Sequence, residues 1–195
     1  MIQLLEFVFL MGIAYVIGSI PFSLILAKSK RVNLREVGSG NIGATNVFRA
    51  MGWKYGLVAL LLDGLKGYVS TTLALNVSEN AWVHVLVGLM SIVGHSYTIF
   101  AGYKGGKGVA TGLGVLLALS PDVFTMIFSF GMVLIAITRY VAPVTIFCSI
   151  ATPVLLYLNG YATPYIIVKS MIAMFIVYRH RSNIRRIITG TENRL

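Results

Sequence analysis

Negative charge is scarce in this chain. Asp and Glu number 6 against 16 Lys and Arg, and Asp63 and Asp122 are the only aspartates. No two aspartates stand at short spacing, so a carboxylate cluster of the kind that holds magnesium is excluded. Cysteine is nearly absent. Cys148 stands alone in an apolar run, which excludes a disulfide framework and a cysteine-ligated metal cluster. Charged residues of both signs make up 11% of the 195 residues, against about 25% in soluble domains. A soluble core would need a polar shell that this composition cannot supply.

What is present is hydrocarbon. The chain is 57% hydrophobic, with a mean hydropathy of +0.83. These values predict an all-α polytopic membrane protein. A helix needs about 20 apolar residues to cross the hydrocarbon layer. On that measure residues 4–27, 55–77, 81–100, 109–119, 123–138, 142–158 and 163–178 read as seven spans, of which several are short. Five or six crossings plus a buried re-entrant helix is the alternative. Residues 1–28 begin without a basic residue and carry a long apolar run, which predicts a retained span and not a cleaved leader.

Basic residues orient the spans. With the N-terminus outside, seven alternating crossings put every Lys and Arg except Lys66 and Lys169 on the cytoplasmic side, together with the C-terminus. Glu6, Glu79 and Asp122 fall outside. Removing one span would break this segregation. The net charge of +10 therefore reflects topology and predicts no nucleic-acid partner, because the basic residues punctuate apolar segments and do not stripe one face. The whole chain, 1–195, reads as a single domain.

Three cytoplasmic segments carry more chemistry than connectors need. The first is VGSGNIGATNVFR, residues 37–49. Gly38, Gly40 and Gly43 alternate with Ser39, Asn41, Thr45 and Asn46, and Arg49 follows. Exposed amides and hydroxyls suit a phosphate or a developing oxyanion, and Arg49 has the fork for two phosphate oxygens. The plainer reading is a helix-capping loop of small residues. Irregular backbone at membrane depth, however, needs a protein-lined cavity.

The second segment is YKGGKGVATG, residues 103–112. Gly105, Gly106 and Gly108 permit positive φ and close approach. Lys104 and Lys107 supply charge, and a helix starts at Val109, with Thr111 in its first turn. A glycine turn, two lysines and a helix start form a phosphate cradle, though without the nucleotide P-loop frame. Ordinary inward-facing lysines on a flexible loop are the competing reading.

The third segment is YRHRSNIRRIITGTENR, residues 178–194. Most of its arginines suit anionic lipid heads. His180 and Asn183 share a face if the last helix continues past Tyr178, and His180 is suited to moving protons or binding phosphate. Within the spans, Asp63 and Lys66 stand at i, i+3 and read as a mutually neutralising pair that locks helices beneath the site. His95 lies near the lysine loop, where it either orients that loop or packs.

Further absences narrow the chemistry. No histidine is followed five positions on by aspartate, since Leu89, Phe100 and Arg185 stand there, which excludes CoA-type acyltransferases. The missing carboxylate clusters exclude polyprenyl transferases and CDP-alcohol phosphotransferases. A transporter would favour gapped helices in corresponding halves, and no such pairing is present. A carrier of phosphorylated lipid headgroups stays open as the alternative class.

GSGNIGATNVFR, GHSYTIFAGYKGGKGVATGLG and RHRSNIRRIITGTE, in that order over the full length, resemble the bacterial acyl-phosphate:glycerol-3-phosphate acyltransferases. The resemblance implies seven spans in the bacterial inner membrane. It implies transfer of a fatty acyl group from acyl phosphate to the sn-1 hydroxyl of glycerol-3-phosphate, giving lysophosphatidate and phosphate; no cofactor is expected, and the sequence holds no ligand set for a metal. By position, Ser39 and Arg49 match the family's functional residues. Residues 104–111 match its glycerol-3-phosphate loop, His180 and Asn183 its catalytic or substrate-binding pair, and Glu192 a structural acid. The expected partners are the two substrates and membrane lipid, and the expected state is a monomer.

Overall fold

The computed structural model describes residues 2–195, and all regular structure among them is helical. It forms two compact units, one ending at Leu119 and one running from Ser120 to Leu195. Among the described residues, five helical stretches have the length and apolarity to cross a membrane: Leu4–Ser29, Trp53–Val77, Ala81–Ala101, Pro121–Thr138 and Val141–Leu158.

The first stretch is broken. α1 (Ile2–Ser19) and α2 (Phe22–Ser29) meet at Ile20 and Pro21. Proline removes one backbone donor and disfavours helical geometry in the residue before it. The Ser19 carbonyl accepts from the Thr98 hydroxyl at 2.5 Å and the Ile20 carbonyl accepts from the Lys66 ammonium at 3.0 Å. Carbonyls freed by a break at membrane depth need such partners in place of the lost helical bonds.

A loop over residues 30–43 leads to α3 (Ala44–Met51), then α4 (Trp53–Val77) and α5 (Ala81–Ser96). The span expected over 81–100 is thus a helix to Ser96 continued by a 3-10 turn, Ile99–Ala101. α6 (Val109–Leu119) has 11 residues and closes the unit. At 1.5 Å per residue it is only about 16 Å long, roughly half the hydrocarbon thickness.

α4 shows how these helices sort their faces. Gly56, Ala59, Asp63, Lys66, Gly67, Ser70, Thr71 and Ala74 recur at helical spacing and are buried. Leu57, Leu61, Leu65 and Leu73 are exposed on the opposite side. Small and polar residues therefore face protein and leucines face outward, as packing in lipid requires. Contact with α6 depends on that face. A methyl on Gly114 would collide with the Gly64 carbonyl, and one on Gly67 with the Thr111 carbonyl. α1 and α5 meet in the same way, Gly18 against Ser91 and Gly94 against Tyr15.

The second unit contains α7 (Pro121–Thr138), α8 (Val141–Leu158), α9 (Thr163–Arg179) and α10 (Arg181–Ile188). α7 opens two residues earlier than expected because Pro121 suits the first helical position, where no intrahelical donor is needed. Between α8 and α9 the Tyr161 hydroxyl donates to Asp122. Partial desolvation, then this bond, push the phenol up to about 12. Lys169 is buried in α9.

Candidate functional site

The first glycine segment is half loop and half helix. Gly38 and Gly40 have φ of +57° and +68°, the left-handed region that glycine enters at least cost. Thr45, Asn46 and Arg49 belong to α3, which the loop reading of this segment did not anticipate. Asn46 is fully buried and organises the turn. Its side-chain oxygen accepts the Ser39 N–H at 2.9 Å, and its amide donates to Leu34 O at 2.9 Å and Val37 O at 3.1 Å. A side chain on Gly38 would strike the same Asn46 oxygen. Asn46 therefore spends its polar groups on the loop backbone and thereby fixes Ser39, which is half-buried beside it. Beneath the turn lie buried Ala27, Leu34, Ile42, Val47 and Ala59. Burying a side chain the size of Leu34 or Val47 contributes about 1.5–3 kcal/mol to holding the loop down. Asn41, Thr45 and Arg49 are half-buried and Gly40 is exposed.

The lysine segment is seated on the end of α5. Gly105 N–H donates to Ser96 O at 3.1 Å, and Gly106 N–H donates to His95 O at 3.2 Å. Of Gly105, Gly106 and Gly108, only Gly108 takes positive φ, at +81°. Gly105 and Gly106 serve contact instead: a Cβ on the first would hit the His95 carbonyl, and one on the second would hit His95 Nε2. The expected freedom of φ is thus needed once, and closeness to α5 at all three, since a side chain on Gly108 would also meet Ile92. Lys104 is exposed and Lys107 half-buried. α6 begins directly after Gly108, so its unpaired first amides face the loop. Two buried hydroxyls flank this turn, Ser96 and Thr111, and neither has a hydrogen-bond partner among the described residues.

The two segments are joined. The Arg35 guanidinium donates to Ala101 O at 3.2 Å and Lys104 O at 3.3 Å, linking the glycine–serine loop to the lysine loop. Sequence reasoning missed Arg35, because its partners are main-chain carbonyls with no signature. Both segments also border one small cavity, lined by Ile42 from the first and Gly106 from the second, with Ser19, Ser23, Asp63, Lys66, His95 and Thr98. Its polar wall is a network. Asp63 Oδ1 lies 2.9 Å from Lys66 Nζ and 3.6 Å from His95 Nδ1, and Ser23 donates to Oδ2 at 3.4 Å. The expected Asp63–Lys66 pair thus includes His95. Ser23 and Thr98 were also missed, since hydroxyls in apolar runs read as ordinary packing. In the loop after α2, the Lys30 ammonium lies 5.4 Å from the Tyr55 ring centre, and a hydrogen bond to that phenol raises its pKa.

The third segment lies in the second unit. α9 ends at Arg179, and His180 forms a turn before α10. The pair therefore does not ride on a continuous last helix: His180 is at the junction and Asn183 in the following short helix. His180 is buried, with Nδ1 2.8 Å from Ile176 O. Asn183 donates to Glu192 Oε1 at 2.7 Å, and Arg186 Nε donates to Oε2 at 2.9 Å. Glu192 thereby ties the tail back onto α10.

Comparison with known proteins agrees with these features. Residues 8–190 match the family described as glycerol-3-phosphate acyltransferase. Glycerol-3-phosphate acyltransferase of Aquifex aeolicus is 44% identical over 187 residues, covering 95% of this chain and 97% of that one. The Geobacter sulfurreducens protein of the same name is 42% identical, with 95% of each chain covered. Among solved structures, the integral membrane glycerol 3-phosphate acyltransferase PlsY (YgiH) in its glycerol 3-phosphate form superposes with a TM-score of 0.93 at 44% identity, covering 97% of this chain and 96% of that one. Its lysophosphatidic acid form gives 0.91 at 42%, covering 97% and 95%. With its long apolar helices and a match over nearly its whole length, the chain belongs to the glycerol-3-phosphate acyltransferase family of integral membrane proteins.

Proposed function

We propose that the chain transfers a fatty acyl group from acyl phosphate to the sn-1 hydroxyl of glycerol-3-phosphate, releasing lysophosphatidate and inorganic phosphate. The reaction takes place at the cytoplasmic face of a bacterial inner membrane. The whole chain acts as one domain and as a monomer, with seven crossings, the N-terminus outside and the C-terminus in the cytosol. α6 and α9 complete the count alongside the five longer stretches. The segregation of Lys and Arg supports this orientation.

The observation that carries the reading is the junction made by Arg35. It joins two glycine-rich segments, each suited to an anion, within one unit. A reaction between two phosphorylated substrates needs two such places side by side. Lys104 and Lys107, the amides of residues 105–108 and the start of α6 suit the acceptor's phosphate, with Thr111 in the first turn. The turn at Gly38–Gly40, with Ser39, Asn41, Thr45 and Arg49, suits the donor's phosphate and the acyl oxyanion. Asn46 serves substrate binding by holding that turn. Within the second unit, His180 and Asn183 are assigned a catalytic or substrate-binding role and Glu192 a structural one, bonded to Asn183. Asp63, Lys66 and His95 support the floor.

The hydroxyl of the acceptor attacks the acyl carbonyl. Its proton passes to a phosphate oxygen of the donor, and the acyl–oxygen bond breaks to release phosphate. Phosphate is already a good leaving group, so positioning and oxyanion stabilisation supply most of the rate. Cationic side chains lower the repulsion between the two anions. Ser39 binds and polarises but forms no acyl-enzyme, since a nucleophilic serine needs an adjacent base. The test uses the purified chain in detergent, with glycerol-3-phosphate and labelled acyl phosphate. Lysophosphatidate and phosphate are expected products, whereas a carrier makes no new compound. Label trapped on Ser39 in a quenched single turnover would overturn direct transfer.

A further inference from the structure

We propose that Asp63 and His95 are positioning residues for the acceptor's phosphate. Asp63 sets the angle of the His95 ring, and His95 sets the height of the lysine loop above α5. The inference rests on the reading that residues 104–108 hold that phosphate.

Ionisable groups inside a lipid-embedded bundle are costly and are held for a reason. Asp63, Lys66 and His95 are 1%, 3% and 7% exposed. The shortest contact among them is the 2.9 Å pair of Asp63 and Lys66. Its ammonium also donates to Ile20 O at the break in the first span. Charge balance is therefore complete without the histidine. What remains for His95, 3.6 Å from the same carboxylate oxygen, is orientation. With Nδ1 turned to Asp63, the opposite edge of the ring faces the loop, because a side chain on Gly106 would collide with Nε2.

The backbone of the same residue completes the seat. His95 O accepts the Gly106 N–H, and the next carbonyl, Ser96 O, accepts the Gly105 N–H. Ring and main chain together thus clamp the two glycines between Lys104 and Lys107, at the entrance to α6. A turn of the imidazole would shift the loop by the width of that contact. Phosphate binding by backbone amides tolerates little displacement, since each donor must stay near 2.9 Å from its oxygen. A pair that merely locks helices would not distinguish a carboxylate that faces His95 from any isostere that packs as well.

The test separates charge from orientation with two double variants. Asp63→Asn with Lys66→Met removes both charges and keeps an acceptor for His95. Asp63→Leu with Lys66→Met removes both charges and the acceptor. Balanced removal of a buried ion pair is often well tolerated. For the Leu variant the Michaelis constant for glycerol-3-phosphate should rise about tenfold, as the 3.6 Å polar contact that orients the ring is lost. Its kcat and the constant for acyl phosphate should be nearly unchanged. Both variants lose the Lys66 bond to Ile20 O alike, so the Asn variant is read against the Leu variant and should have the lower acceptor constant. Equal constants in the two double variants, or a change confined to kcat, would overturn the inference.

If either double variant fails to fold, His95→Gln against His95→Leu in the native background gives the same comparison. Gln should restore the acceptor constant that Leu raises, and equal constants would overturn the inference. Lys104→Ala is the control for the underlying reading. Were it to leave the acceptor constant untouched, that reading and this inference would both fall. An effect of Lys104→Ala with none from the Asp63 or His95 variants would remove the inference alone.

Discussion

Replacing Arg35 by alanine should weaken acceptor binding and leave the chemical step nearly alone. The guanidinium makes two hydrogen bonds to main-chain oxygens of the adjoining segment, at 3.2 and 3.3 Å. Both are charge-assisted, but the residue is exposed and the bonds are long. Each is therefore worth the lower part of the usual net range, about 0.5–1 kcal/mol. Together they hold the lysine loop with about 1–2 kcal/mol, which is roughly 5- to 30-fold in the ordered fraction. Apparent affinity falls with the binding-competent fraction. The Michaelis constant for glycerol-3-phosphate should rise by up to that factor, while the constant for acyl phosphate stays put. The assay is phosphate release in detergent, with each substrate varied in turn at saturating levels of the other. Arg35→Lys should fall between, because an ammonium carries charge but not the planar fork. An unchanged acceptor constant in Arg35→Ala, or a change in the donor constant alone, would refute the link between the loops.

Two further variants probe the scaffold. Asn46→Ala removes three hydrogen bonds from a buried turn and leaves the Ser39 N–H and two carbonyls without that partner. It should lower stability by about 2–4 kcal/mol and abolish turnover, read by thermal unfolding in detergent alongside the phosphate assay. A fully active Asn46→Ala would show that the turn does not depend on it. Gly114→Val places a branched side chain against the Gly64 carbonyl, so it should prevent α6 from docking on α4 and give an aggregated species by size-exclusion chromatography. A monodisperse, active Gly114→Val would contradict the close crossing.

The helical class and the long apolar stretches were legible because hydropathy reports burial in lipid directly. The broken first span was only half legible. Residues 4–27 read as one span that tolerates Pro21, and the partners that stabilise the break, Thr98 and Lys66, lie far along the chain. The glycine segments announced themselves by composition, yet their geometry did not follow from composition alone. Gly105 and Gly106 are small because α5 is close, which no local pattern reveals. The second half of the first segment is helix α3, since Val47 has a buried apolar cluster to dock on. Arg35 was invisible for a simpler reason: a side chain that bonds to carbonyls leaves no matching residue to find. The turn at His180 likewise interrupts what reads as one continuous basic helix.

The central claim is that the two glycine-dense segments stand side by side on the cytoplasmic face, the lysine loop for the acceptor's phosphate and the Gly38–Gly40 turn for the donor's. Single cysteines at Ser39 and Lys107, each in a Cys148→Ala background, test it directly with a membrane-impermeant maleimide. Both positions should react from the cytoplasmic side in inside-out vesicles, neither should react in right-side-out vesicles, and glycerol-3-phosphate should slow the reaction at position 107. Labelling of the two positions from opposite sides of the bilayer would contradict the account.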